Sequence, residues 1–107
     1  MERPIERIKM LAQWLIEHGV VKNMLSFEKI CSMSRCYVRN LMATGAGNPS
    51  IEVAANIYEV FPLVNLEWLV TGKGNMWGKR NEDDELVAEI QRRLPQRLKD
   101  ELLKRPI

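Results

Sequence analysis

Residues 26–45 read Ser-Phe-Glu-Lys-Ile-Cys-Ser-Met-Ser-Arg-Cys-Tyr-Val-Arg-Asn-Leu-Met-Ala-Thr-Gly. Phe27, Cys31, Met33, Val38 and Leu41 are apolar at offsets 0, 4, 6, 11 and 14. That spacing suits two short helices joined by a tight turn. The first helix supplies two inward residues, the turn one and the second helix two, which is the burial pattern of a helix-turn-helix. The first helix is expected to start near Ser26 and end around Ser32, with Glu28 and Lys29 exposed. Ser34 then reads as the N-cap of the second, because its hydroxyl can accept a bond from an otherwise unpaired N–H. Val38, Leu41 and Met42 form the inner face of that second helix and Gly45 closes it. Its opposite side carries Arg35, Cys36, Tyr37, Arg39 and Asn40, which are free to face a partner.

The rest of the chain reads as helices around this pair. Upstream, Ile5, Ile8, Leu11, Ala12, Leu15 and Ile16 recur at helical spacing after Pro4, which suits a first helical turn. Gly19 is the expected stop. Downstream, Ala46-Gly-Asn-Pro49 is a turn. Ser50 is the next N-cap, followed by apolar Ile51, Val53, Ala54, Ile57, Val60 and Phe61, with Pro62 ending the helix. Asn65 can cap a short helix over 66–71, stopped by Gly72. No alternating run suggests a strand, so the fold class is all-α. From 81 the pattern changes: Glu82-Asp-Asp-Glu leads into Leu86, Ile90 and Leu94 at i, i+4 and i+8, and acids at the start with Arg92 and Arg93 at the end match the helix macrodipole. Pro95 interrupts, and Leu98 and Leu102 resume the spacing. So narrow a stripe needs something to dock on: its own domain, a second subunit or a protein partner. The expected division is a helix-turn-helix domain over 1–78 and a helical tail over 79–107.

Composition narrows the classes. The chain has 107 residues, 46% hydrophobic and 28% charged, ordinary for one globular domain. Two cysteines cannot build a disulfide framework, and one histidine removes most imidazole-based nucleophile arrangements. Cys31, Cys36 and His18 make no zinc set. Thr71-Gly-Lys-Gly lacks the order of a phosphate loop, and Glu82-Asp-Asp-Glu lacks the glycine turn of a calcium loop. No metal, cofactor or enzymatic activity is expected. The N-terminus does not read as a secretory signal, and the longest apolar window, 51–70, holds three Glu, two Asn and a Pro. The expectation is a cytoplasmic protein with reduced thiols and no membrane span.

Formal net charge is only +2, but it is unevenly distributed. Residues 1–80 carry ten Lys/Arg against seven Asp/Glu, and residues 81–107 carry six against seven. Between Lys22 and Asn48 stand Lys22, Lys29, Arg35 and Arg39 against Glu28 alone. The basic residues lack aromatic interleaving, which argues against a single-strand stacking platform.

Two stretches carry a resemblance. Phe27 to Leu41, together with Asn48-Pro-Ser through Phe61-Pro-Leu-Val-Asn-Leu-Glu-Trp-Leu-Val-Thr-Gly-Lys-Gly-Asn-Met-Trp77, resembles the lambda-repressor-like helix-turn-helix domain of the xenobiotic-response-element type. Such domains occur in phage and bacterial regulators, and the second stretch is similar to the end of those in Bacteroidetes proteins. The resemblance covers roughly residues 4–77. It implies a compact five-helix domain that binds double-stranded DNA, usually as a homodimer. Carried onto this sequence, the helix over 34–44 would enter the major groove, with Arg35 and Cys36 nearest the bases and Arg39 and Asn40 one turn later. Tyr37, Asn48 and Lys22 would meet phosphates, as would Ser34 with the N–H groups it caps. The sequence departs from the pattern at Glu28, where the family has a small residue facing the second helix, and at Ser32, where the turn has Gly. A positive φ at Ser32 would cost about 1 kcal/mol. The function expected is a sequence-specific transcriptional regulator, a repressor. The alternative is an antitoxin or adaptor whose segment 81–107 binds a protein partner.

Overall fold

In the computed structural model, which describes residues 3–45, 47–78 and 82–98, the elements follow in the order α1 (Pro4–Glu17), α2 (Met24–Ile30), α3 (Tyr37–Thr44), α4 (Ile51–Val60), α5 (Leu66–Thr71) and α6 (Asp83–Arg92). Every regular element among the described residues is a helix, and residues 96–98 are again helical after Pro95.

The core is built from the stripes visible in the sequence. α1 buries Ile5, Ile8, Leu11, Ala12 and Leu15; Phe27 and Ile30 come from α2, Val38 from α3, Val53, Ile57 and Val60 from α4, and Trp68 and Leu69 from α5. Phe27 and Phe61 stack with centroids 6.2 Å apart, joining α2 to the end of α4. Burial of this set is the main force holding the helices together, since none of these segments is long enough to be stable alone.

Caps mark most boundaries. Ser50 Oγ accepts the Val53 N–H at 3.2 Å, and Asn65 Oδ1 accepts the Glu67 and Trp68 N–H groups at 3.1 and 3.4 Å. The run from Asn65 to Trp77 then closes on itself. The Asn65 N–H donates to the Met76 carbonyl at 2.8 Å, and a side chain at position 74 would stand 2.9 Å from Asn65 Nδ2, so only glycine passes there. Trp77 ends against Trp14, with ring centroids 4.9 Å apart.

Three expectations need correction. α2 starts at Met24, not near Ser26, because Asn23 Oδ1 takes the Ser26 N–H at 2.9 Å and so caps it earlier. α3 starts at Tyr37 rather than at 35, for reasons given below. Ile51 does not face the core and is 89% exposed. The inward face of α4 is Val53, Ile57 and Val60, and a residue two positions before Val53 points to the opposite side of the cylinder.

The stripe of the C-terminal segment is used internally. Leu86, Ile90, Leu94 and Leu98 are all buried and belong to the same apolar cluster as α1–α5. Asp83 reaches His18 at the end of α1 at 3.4 Å, and Arg97 reaches Glu59 near the end of α4 at 3.7 Å. The His18 ring also stacks on Trp14 at 3.8 Å, and its Nδ1 lies 2.8 Å from the Trp14 carbonyl at the end of α1. Leu102 lies outside the described residues.

Candidate nucleic-acid interface

The path from α2 to α3 fixes everything about this surface. α2 ends with Ser32 in the left-handed region, φ 59°. The Ser32 N–H donates to the Lys29 carbonyl at 3.2 Å and the Met33 N–H to the Glu28 carbonyl at 2.8 Å, the paired bonds of a Schellman ending. Met33 is thereby turned inward and buried. The chain then makes a turn in which the Tyr37 N–H donates to the Ser34 carbonyl at 3.1 Å, and Cys36 is again left-handed, φ 62°.

Ser34 is therefore not the cap. Its side chain is exposed, and α3 has no cap from its own flanking residue. Glu28 does the capping from the preceding helix. Its Oε1 accepts the Cys36 N–H at 3.1 Å and its Oε2 accepts the Val38 N–H at 2.9 Å. Glu28 is 2% exposed, so the expectation that it faces solvent is wrong for a definite reason: the start of α3 offers unpaired N–H groups and the positive end of a helix dipole, which stabilise a carboxylate there. The Glu28 side chain thus acts as a strut between α2 and α3. The Cys36 and Val38 amides are thus engaged by Glu28 rather than capped by Ser34, whose side chain stays exposed.

On α3, Val38 is buried and Leu41 and Met42 are half-buried, while Arg39, Asn40, Ala43 and Thr44 are exposed. Arg35 and Ser34 stand exposed in the turn that leads into the helix. Cys36 and Tyr37 are half-buried, and the Tyr37 ring packs against the core. Arg39 donates from Nη2 to Cys36 Sγ at 3.5 Å, so these two share one patch. Lys22 and Asn48 are exposed in the loops before α2 and after α3. Among the described residues no acidic side chain is paired with Arg35 or Arg39.

Two arginines tie the start of the chain to other elements, Arg3 to α3 and Arg7 to α5. Arg3 Nη2 donates to the Leu41 and Gly47 carbonyls at 3.1 and 3.2 Å, tying the N-terminus to the last turn of α3 and the loop beyond. Arg7 is 3% exposed and donates from Nε to the Leu69 carbonyl at 3.0 Å and from Nη2 to the Val70 carbonyl at 2.9 Å. It thereby sets a cation at the negative end of α5. Neither carries a signal in sequence, since each looks like one more charge on the outer side of α1.

The two thiols differ. Cys31 is buried, and desolvation pushes its pKa up to about 12, so it is a neutral apolar filler. Cys36 lies at the surface of the candidate patch. Among the described residues no group of three or more His, Cys, Asp or Glu could hold a metal, and no helix is long and apolar enough to cross a membrane. No protein-family model, curated protein or solved structure matches the chain.

Proposed function

We propose that this protein is a sequence-specific regulator of transcription that binds double-stranded DNA through the outer face of α3 and the turn before it. In this reading α1–α5 form a lambda-repressor-like helix-turn-helix domain, and occupancy of the site represses by exclusion. The observation that carries the proposal is the fate of Glu28. It is the only acid between Lys22 and Asn48, and its carboxylate is buried beneath α3. Between residues 22 and 48 the exposed side chains then include Lys22, Arg35 and Arg39 and no acid, which suits a polyanion-binding face.

The late start of α3 divides the roles. Arg35 precedes the helix and leads it toward the groove, whereas Arg39 and Asn40 lie within its first turn and a half. Arg can pair bidentately with guanine O6/N7 and Asn with adenine N6/N7, each contributing roughly 1–3 kcal/mol of discrimination. Lys22 and Asn48 flank the face and suit phosphates. Tyr37 contributes mainly its packing against the core. A homodimer would read two half-sites about 34 Å apart along the duplex. The reading involves no cofactor and no catalysis, and implies a cytoplasmic protein. The rival reading, an antitoxin or adaptor that holds its partner through 81–107, loses its apolar stripe through Leu98 to the chain's own core.

Fluorescence anisotropy with a labelled duplex at two salt concentrations tests the proposal. Binding should weaken steeply with salt. Lys22→Ala should weaken binding to every duplex and reduce the salt slope by about 1, whereas Arg39→Ala should also relax preference at one or two base pairs. No salt-sensitive binding to any duplex would refute it.

A further inference from the structure

We propose that the hollow between the outer side of α2 and the α2–α3 turn binds a small aromatic carboxylate, and that this ligand competes with a duplex for Arg35. The hollow has a volume of about 480 Å³ and is lined by Leu25, Glu28, Lys29, Met33 and Arg35. Sites for small molecules span about 300–1,000 Å³. Leu25, Glu28 and Lys29 stand at i, i+3 and i+4 on α2, so they share one side of that helix. The left-handed Ser32 turns the chain back, and Met33 and Arg35 line the hollow from the connector.

Its chemistry is divided between apolar and cationic groups. Leu25 is 47% exposed and Met33 adds a thioether. Lys29 and Arg35 are exposed cations. Glu28 is the one acid of the lining, and it presents no free carboxylate, because its two oxygens accept the Cys36 and Val38 N–H groups. The Arg35 guanidinium is paired with no acid among the described residues. A matching ligand has an apolar body and one negative group. A carboxylate meets the planar fork of an arginine with two parallel hydrogen bonds, and a methionine sulfur favours an aromatic ring. A duplex would satisfy Arg35 but bring no apolar body to Leu25. A partner helix needs a groove for anchors at i, i+3, i+4 and i+7, which two apolar residues do not make. The competition rests on the DNA reading above, since Arg35 cannot hold a carboxylate and meet a base at once; the ligand site itself does not.

Isothermal titration calorimetry of the full chain with 1-naphthoate, without DNA, reads the site. A dissociation constant between about 10 µM and 1 mM is expected. Arg35→Gln removes the charge and Leu25→Asp replaces the apolar wall with an acid, and each should weaken binding by about tenfold or more. Both positions are exposed and an acid suits the first turn of α2, so both variants should fold, which circular dichroism checks. Methyl 1-naphthoate and acetate each lack one half of the ligand and should bind at least about tenfold more weakly. Lys73→Gln removes an exposed charge absent from the lining and should change nothing. Saturating 1-naphthoate should then weaken duplex binding by the wild type but not by Arg35→Gln. No binding of 1-naphthoate tighter than about 1 mM overturns the proposal. So does binding indifferent to Arg35 and Leu25, or to loss of the carboxylate. Naphthoate that binds yet leaves duplex affinity unchanged overturns the competition. A chain that takes up naphthoate but no duplex would instead refute the DNA reading.

Discussion

α3 and α4 are consecutive helices that begin in different ways. α4 is capped by the residue that immediately precedes it, Ser50, whose hydroxyl takes the Val53 N–H. α3 is capped by Glu28, eight to ten residues back and on another helix. A local cap sets only where a helix starts. A cap borrowed from a neighbour also sets where the helix lies relative to that neighbour. The buried carboxylate under α3 therefore does two things at once: it fixes the α2–α3 pair as a unit, and it takes the only acid between Lys22 and Asn48 out of solvent.

The contrast can be broken most severely at Glu28. Glu28→Ala leaves the Cys36 and Val38 N–H groups without their acceptor and should destabilise the fold by about 3 kcal/mol in urea unfolding. Glu28→Gln keeps one acceptor but turns an amide N–H₂ toward the other donor, so a loss of about 1.5 kcal/mol is expected. Ser50→Ala and Asn23→Ala remove local caps only and should each cost about 1 kcal/mol. If Glu28→Ala proved no worse than Ser50→Ala, the long-range cap would contribute nothing beyond a local one. The smallest effects should come from the two left-handed residues of the connector. Ser32→Gly and Cys36→Gly relieve a conformation that costs about 1 kcal/mol in non-glycine residues, but they loosen the unfolded chain, so each should stabilise by about 0.5 kcal/mol. Destabilisation by either would mean that its side chain contributes more than its backbone strain.

The same contrast explains what could be read without coordinates. Helix identity was legible wherever an apolar stripe and a nearby cap coincide, as for α1 after Pro4, α4 after Ser50 and α5 after Asn65. Ser32 takes a positive φ, the conformation for which the resembling turns have Gly. The start of α3 was not legible, because Ser34 has the right chemistry at a plausible position and loses to an acceptor that only the folded chain brings near. Glu28 looked exposed because acids in short helices are so as a rule. Later in the chain, the stripe Leu86, Ile90 and Leu94 was plain in sequence but its destination was not, since an apolar face does not name its partner. Of the candidate site, Ser34, Arg35, Arg39, Asn40, Lys22 and Asn48 are at the surface as expected, while Cys36 and Tyr37 are half-buried.

The central claim is that the outward face of α3 reads duplex DNA, and selection from a random duplex library with the full chain tests it most directly. The account predicts an enriched motif whose specificity at one or two positions relaxes in Arg35→Ala and in Arg39→Ala. No enriched motif, or a motif that both variants select unchanged, would contradict it.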